Sequence, residues 1–403
     1  MSAGPAEASP GRLTVELVST RTGMDLLEQE WNDLFERAGE PHQIFQSFNW
    51  NWHWANHYLE AGGRACERRR LAIVAGRIEG RLAMIWPLIE VRRFGCRVLK
   101  WMGDPVSQYG DVLVEAGAMR MRLLEAGWSL LKRSGFDLAA LGKVRADAAV
   151  AGLLGARGAL RRDIQVAPYL DLSSATGFEA YVARYPAKDR KNRRRHMKRL
   201  AERGEIAFER LSTGERAAAR AVEAIGLKRD WLLSKGLVSR AYVGRRMEAF
   251  FHDIAASTCH PVPVRVSALT VGGEAAAIEI GVASKGCFAA HVTVYHPDYE
   301  RNSPGSLLLE DSIRHSFCEG IARYDLLAPG DTYKLNWSDG VVETADFALA
   351  LSPAGRLYRA LVVSSLKGRA KRSLAALPRS LRRAFAASFL TRQDGPEVGG
   401  AVQ

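Results

Sequence analysis

The most specific pattern in this sequence lies in residues 291–337, HVTVYHPDYERNSPGSLLLEDSIRHSFCEGIARYDLLAPGDTYKLNW. Alternating apolar residues at its start predict a strand, and Pro304-Gly305 then opens a helix predicted over 307–320. A second predicted strand, ARYDLLA, ends near Tyr333 and Lys334. The first turn of a helix has free backbone N–H groups and a positive dipole end, and Gly305 lets an anion approach closely. Such a strand–glycine–helix unit can hold a pyrophosphate, although Pro-Gly before a helix is often only a cap.

Both halves of the chain share one order of elements: a strand, helices, a meander of strands, a helix and further strands. This order predicts two copies of one α/β unit, with no residue-level repeat. We therefore expect an α/β (α+β) fold of two tandem domains, each with a mixed, mostly antiparallel sheet flanked by helices. The predicted divisions are a disordered segment 1–11, domains 12–165 and 166–354, a basic helical tail 355–393 and a disordered end 394–403.

The basic charge is confined to two segments of this 403-residue chain. Of the formal net charge of +13, residues 347–403 carry +8 and residues 188–204 carry +7, so the remainder carries −2. The five cysteines are scattered without a CxxC pair, which fits a reducing compartment and argues against a disulfide framework or a zinc knuckle. The sequence shows no apolar secretory segment and no apolar run long enough to span a membrane, so we expect a cytoplasmic protein. If the basic tail binds a membrane, the protein would be peripheral at its inner face.

The segment KDRKNRRRHMKRLAERG, residues 188–204, has nine basic residues and two acidic ones. A nucleic-acid clamp is disfavoured, because no aromatic residue is interleaved with the cations and the rest of the body is slightly acidic. A helix predicted over 189–203 places Arg190, Arg193 and Arg194 on one face, where they could receive phosphate or carboxylate groups. The alternative for this helix is a charged face that is simply solvated. For the basic tail, three interpretations stay open: contact with a membrane surface, contact with a synthase, and a solvated terminal helix.

These motifs resemble the CelD-type branch of the GNAT acyltransferase superfamily, which is related to the Fem-type transferases with two GNAT-like domains. The resemblance rests on SPGSLLL, on GIARYDLL and YKLNW in the second half, and on IFQSFNWNWHW in the first. It covers roughly residues 13–350. It implies transfer of an acyl group from an acyl thioester, usually acetyl-CoA, to an amine.

The resemblance assigns the donor to the loop RNSPGS and the helix start, that is, to Arg301, Ser303, Gly305, Ser306 and Leu307. Pro304 stands where the family pattern has a glycine. This difference leaves open a thioester on a carrier protein, or a Fem-type donor, in place of acyl-CoA.

The chemistry requires a base for the amine proton, a donor to the thioester oxyanion and an acid for the leaving thiolate. The candidates are Glu279, His291, Asp325, Tyr333 and Lys334. Each has a structural alternative: His291 could be a core histidine, and Asp325 could cap a turn or pair with Lys334. An acid inside AAAIEIG, at position 279, would be costly to bury without a role.

In the first half, Gln46, Trp50, Tyr109 and Asp111 match family positions and could line a pocket for a small-molecule amine acceptor, or could equally be packing residues. No metal site is expected. The sequence thus favours an N-acyltransferase acting on an amine of a sugar, amino acid or lipid precursor in bacterial polysaccharide or envelope metabolism. The alternative is an inactive GNAT-like scaffold that contacts nucleic acid, a membrane or an acidic partner through its basic segments.

Overall fold

The computed structural model describes residues 12–59, 69–237, 239–242, 244–257 and 262–361. The two segments predicted to be disordered, and the predicted basic tail beyond residue 361, lie outside these residues.

The strands of the described residues are short in the first half and longer in the second. They are β1 Leu13–Val18, β2 Arg69–Leu71, β3 Ile73–Ile78, β4 Arg81–Trp86, β5 Leu88–Arg93, β6 Cys96–Trp101, β7 Leu113–Val114, β8 Leu138–Arg145, β9 Leu160–Asp171, β10 Ile206–Leu211, β11 Val264–Val271, β12 Glu274–Ser284, β13 Cys287–Tyr295, β14 Arg323–Asp325 and β15 Gly340–Ala350.

The helices of the described residues flank these strands. They are α1 Arg21–Asp25, α2 Glu28–Ala38, α3 Phe48–Tyr58, α4 Arg120–Arg133, α5 Ala151–Ala156, α6 Phe178–Ala183, α7 Ala187–Ala201, α8 Glu215–Ser234, α9 Arg246–Ala256, α10 Pro304–Cys318, α11 Thr332–Trp337 and α12 Pro353–Tyr358.

One sheet runs through both halves of the molecule. Eleven strands follow the order β10-β11-β12-β13-β14-β9-β15-β8-β6-β5-β2, and a second sheet has the order β1-β3-β4-β7. Strand β15, which comes last in the chain, lies between β9 and β8. The mixed, mostly antiparallel architecture flanked by helices is therefore as predicted, whereas the sheets of the two halves are joined. The predicted division at 165/166 falls inside β9.

Each half contains one parallel strand pair that separates after two or three residues. In the first half, β6 and β8 pair only at Val98↔Leu138 and Leu99↔Ala139. In the second half, β13 and β14 pair only from Cys287↔Arg323 to Ala289↔Asp325. Beyond these points the strands diverge, and each divergence opens a cleft at the corresponding place in its half.

The two halves also share a hydrophobic core. The indole of Trp50 on α3 lies with its ring centroid 5.0 Å from that of Phe250 on α9, and both residues are almost completely buried. Burying an aromatic side chain of this size contributes on the order of 2–3 kcal/mol. This packing fixes the helices of the first half against those of the second.

The strand predicted over ARYDLLA, residues 322–328, is shorter in the structure. This strand, β14, has only three residues, and Tyr333 and Lys334 lie after it on the short helix α11. Pro329 and Gly330 interrupt the extended chain, because proline has no N–H for a sheet and glycine favours turns. The predicted basic helix is α7, displaced by two residues from its predicted limits.

Candidate active site

A cavity of about 250 Å³ lies at the divergence of β13 and β14. It exists because β13 continues from Ala290 to Tyr295 after β14 has ended, leaving this edge of β13 without a neighbouring strand. The rest of the lining comes from α8, β12, the turn before α10, the start of α10, α11 and Leu326 after β14. The lining residues that bear on chemistry are Lys228, Glu279, Glu300, Ser303, Gly305, Ser306, Tyr333 and Lys334.

Glu279 is the buried one of the two acidic residues that line this cavity, and Glu300 is exposed. Its carboxyl is 1% exposed, and Oε2 accepts a hydrogen bond of 2.6 Å from the hydroxyl of Tyr324. The carboxyl also interacts with the hydroxyl of Ser312, and Oε1 has no further hydrogen-bond partner among the described residues. Burial disfavours the charged form and raises the pKa of Glu279 to about 7. A buried carboxylate that lines a cavity and has a pKa near neutrality can accept a proton from a ligand.

Two lysines contribute positive charge to the cavity. Lys334 Nζ donates to the carbonyl oxygen of Leu327 at 3.0 Å, and burial lowers the pKa of Lys334 to about 8. Lys228 Nζ lies 3.5 Å from the carbonyl oxygen of Thr293, and burial lowers its pKa as well. Both amines are oriented by backbone carbonyls, so their remaining N–H groups are available for a ligand.

Tyr333 stands at the mouth of the cavity with 48% of its surface exposed. Desolvation, reinforced by the negative charges of Asp331 and Glu279, raises its pKa to about 12. The phenol is therefore protonated at neutral pH and can donate a hydrogen bond or a proton to a ligand.

The first turn of α10 forms another side of the cavity. Ser303 precedes the helix in the left-handed conformation, with φ of 47°, and Gly305 follows within the first turn. A Cβ at position 305 would meet only the ring of Tyr295, at 3.8 Å, so the missing side chain leaves the space above this turn open. This geometry suits an anion held by backbone N–H groups. Of the other predicted donor residues, Ser306 lines the cavity, Arg301 is exposed away from it, and Leu307 is buried in the core.

Asp325 is placed differently, in a sealed network between the two halves. Its Oδ1 accepts from the Tyr109 hydroxyl at 2.9 Å and from the backbone N–H of Leu327 at 2.8 Å, while Oδ2 lies 3.2 Å from Arg145 Nη1. Tyr109, Arg145 and Asp325 are all buried. Leu327 is held in the left-handed region, with φ of 60°, between Asp325 and Lys334. Asp325 is thus in a position to shape the loop beside the cavity and not to touch a ligand in it.

His291 also lies outside the cavity lining. It occupies the register shift between β12 and β13, and its Nε2 donates to the carbonyl oxygen of Val106 at 2.8 Å. Burial lowers its pKa to about 4, so the imidazole is neutral. Its ring packs against that of Trp50, with centroids 5.5 Å apart. This is the environment of a core histidine, the alternative recognised from the sequence.

The four predicted acceptor residues of the first half are buried side chains outside this cavity. Gln46 Nε2 donates to the carbonyl oxygen of Tyr109 at 3.0 Å, and Trp50 Nε1 donates to a serine hydroxyl at 2.9 Å. Asp111 accepts hydrogen bonds from two consecutive backbone N–H groups before α5. Together they hold the loop that follows β6.

The predicted arginine face of α7 is divided between burial and solvent. Arg193 is 9% exposed, its Nε lies 2.9 Å from Glu310 on α10, and its guanidinium lies 4.7 Å from the ring of Trp337. Arg190 is partly buried and Arg194 is exposed, and none of the three lines the cavity. Arg193 therefore attaches α7 to the body of the domain.

Sequence reasoning missed Tyr324 and Lys228. Tyr324 lies beside Asp325 in ARYDLLA. Because neighbouring side chains of a strand point to opposite faces, the sequence allowed either Tyr324 or Asp325 to face the cavity. Lys228 lies in the middle of α8, where nothing in the sequence distinguishes it from a solvated lysine.

Residues 187–335 match the family model described as Acetyltransferase (GNAT) domain. No curated protein has a significantly matching sequence. Among solved structures, FemX is 10% identical, with 77% of this chain and 97% of FemX covered at a TM-score of 0.50. A domain assigned as the C-terminal domain of a lysylphosphatidylglycerol synthetase from Agrobacterium fabrum is 11% identical. The match covers 85% of this chain and 99% of that domain, at a TM-score of 0.50. A tandem GNAT protein from the clavulanic acid biosynthesis pathway is 14% identical. The match covers 84% of this chain and 99% of that protein, at a TM-score of 0.45.

The cavity and the start of α10 lie within the matched residues. The region 187–335 matches a GNAT domain model, in agreement with the motifs, and the two structures that match at a TM-score of 0.50 are similar in fold over most of the chain. No described helix is long and apolar enough to cross a bilayer.

Proposed function

We propose that this protein is an N-acyltransferase that moves an acyl group, acetyl in the simplest case, from acyl-CoA to an amine. The observation that supports this most strongly is Glu279, a buried carboxyl with a pKa of about 7 that lines the cavity beside α10. A general base works best when its pKa lies near the working pH, because it is then both ionised and able to take a proton.

In the proposed reaction, the amine nitrogen bonds to the acyl carbon and loses a proton to Glu279. The carbon–sulfur bond breaks, and the sulfur leaves with the bonding electron pair and is protonated by Tyr333, whose phenol lines the same cavity. The edge of β13 beyond Ala289 has no neighbouring strand. Its backbone N–H groups are suitable donors to the developing oxyanion.

For the donor, the pantetheine arm fits along this free edge of β13, since an extended amide chain can pair with an exposed strand edge. The pyrophosphate then reaches the first turn of α10 at Ser303, Gly305 and Ser306, where the helix dipole favours negative charge. Lys228 adds a cation to the lining of the same cavity.

For the acceptor, the proposal is the amine of a sugar, an amino acid or a lipid precursor, in bacterial polysaccharide or envelope metabolism. This part rests on the family resemblance of the sequence. The proposed contact of the basic tail with a membrane surface or a synthase rests on its composition, because residues 362–403 lie outside the described part of the chain.

Calorimetric titration with acetyl-CoA and with longer acyl-CoAs tests the donor. Thiol release measured with a panel of amines then tests turnover. Glu279→Gln should bind the donor normally and lower kcat by about 10²–10⁴-fold, the usual contribution of a general base. Glu274→Gln is the matched control, because Glu274 lies on the same strand with its side chain exposed.

Failure of every acyl-CoA to bind would contradict the proposal and favour a carrier-bound donor or an inactive scaffold. Equal activity of the wild type and Glu279→Gln would remove Glu279 as the base.

A further inference from the structure

A second cavity, of about 190 Å³, lies in the first half at the place that corresponds to the Glu279 cavity. It opens where β6 and β8 diverge after Leu99↔Ala139, as β13 and β14 diverge in the second half. Lys100 on β6 and Lys143 on β8 stand on its two sides. The repeated architecture has therefore produced a cleft in both halves, and the two cavities share no lining residue.

The charged side chains around this second cavity have an excess of positive charge. Four lining residues are basic and two are acidic: Lys100, Lys143, Arg162 and Arg240 against Asp104 and Asp346. Arg162 also lies 3.5 Å from Asp163, so the formal balance with this neighbour included is +1. The carboxylate of Asp104 lies 2.6 Å from Lys100 Nζ and 3.9 Å from Arg240 Nη2. One carboxylate is thus shared by two cations, so the positive charge on this side is incompletely balanced.

Lys143 is a cation held by neutral oxygens. Its Nζ donates to the carbonyl oxygen of Ser107 at 2.8 Å and to Gln108 Oε1 at 3.0 Å. Burial lowers the pKa of Lys143, which means that its charged form lacks full solvation. An anion in the cavity would stabilise that charged form.

The backbone at Lys143 is distorted in a way that fixes this arrangement. Lys143 has φ of 55°, a left-handed conformation that is sterically unfavourable for a residue with a side chain. Its N–H donates to Asp346 Oδ1 at 2.9 Å, and the register of β15 shifts at Asp346 against β8 and at Ala345 against β9. Bulges of this kind redirect side chains and occur often beside binding sites.

We infer that this cavity is a second ligand site that binds a small molecule through a phosphate or carboxylate group. Its ligand is separate from the acyl donor, and the inference does not depend on acyl transfer. The second half contributes to the site through Arg240 and through β15, so a bound anion would touch both halves.

The test uses inorganic phosphate and succinate as probes for the two anion types, each titrated into the full chain at constant ionic strength. Binding is followed by the rise in Tm and by calorimetry. At least one probe should bind the wild type saturably, and Arg162→Gln and Arg240→Glu should each weaken that binding about tenfold or more, as expected for a lost charged hydrogen bond.

Two controls make the result specific to this cavity. Arg216→Glu reverses a charge on a side chain that is 79% exposed and lines neither cavity, and it should bind the probe like the wild type. Lys228→Gln alters the Glu279 cavity and should also leave this binding unchanged. The inference is overturned if neither probe binds, if Lys228→Gln abolishes binding, or if both cavity variants titrate like the wild type while their circular dichroism shows a native fold.

Discussion

The buried carboxyl of Glu279 should make the stability of the protein depend on pH, and Glu279→Gln should remove that dependence. Glutamine keeps the shape of the side chain and an oxygen that can accept the hydrogen bond from Tyr324. It cannot be ionised, so the variant isolates the cost of the charge.

The magnitude follows from the pKa in the two states. The pKa of Glu279 is raised by burial from an ordinary 4.5 to about 7 in the folded chain. Below pH 4.5 the carboxyl is protonated in both states and costs nothing. As pH rises from 4.5 to 7, the unfolded chain releases the proton and the folded chain retains it, so the folded state is progressively destabilised. Between pH 5.0 and 8.5 this linkage amounts to about 2.5 kcal/mol.

Guanidinium chloride unfolding of both proteins at pH 5.0, 6.0, 7.0 and 8.5 measures this effect directly. The difference in unfolding free energy between Glu279→Gln and wild type should move in favour of glutamine by about 2.5 kcal/mol across this range. Glu274→Gln, on the same strand, should show a constant difference because its carboxylate is in water in both states. A constant difference for Glu279→Gln as well would refute the buried, proton-retaining carboxyl and with it the proposed base.

Three further substitutions test neighbouring parts of the site. Tyr324→Phe removes a hydroxyl that favours the charged form of Glu279, so the midpoint of the kcat/KM pH profile should rise by about one unit; an unchanged midpoint would contradict the hydrogen bond. Arg193→Ala should lower the free energy of unfolding by about 2 kcal/mol while exposed Arg194→Ala changes it by less than about 0.5 kcal/mol, and equal effects would mean that α7 is not attached through Arg193. Asp325→Asn should cost about 2 kcal/mol in urea unfolding, because buried Arg145 loses one of its two charged partners and keeps its two hydrogen bonds to Asp147, and a loss below about 0.5 kcal/mol would argue against the network around Asp325.

The sequence predicts the elements around the Glu279 cavity because its signals there are local. The run SPG opens α10, and the apolar run around Glu279 predicts a buried strand, as found. Glu279, Tyr333, Lys334 and the start of α10 meet at one cavity because they lie near the divergence of β13 and β14. A strand divergence depends on pairing between segments that are distant in the chain, so no local pattern reveals it.

The other candidate residues show the limit of motif matching. Tyr109 and Asp325 both match family positions. In the structure they form a hydrogen bond between the two halves, although they are 216 residues apart in the sequence. A motif residue that holds two halves together and one that touches a ligand look alike in a single sequence. Arg145, which completes that network, has no motif at all, and only its burial identifies it.

The position of β15 has a consequence for dividing the protein into fragments. A fragment that starts at residue 166 would retain β15 but lose β8 and the first six residues of β9, and therefore most of the strands that β15 pairs with. The matching first fragment would expose the free edge of β8. Unpaired edges promote aggregation, so neither piece is expected to be soluble by itself. The second half, although it contains the whole Glu279 cavity, can be studied only as part of the intact chain or together with a co-expressed first half.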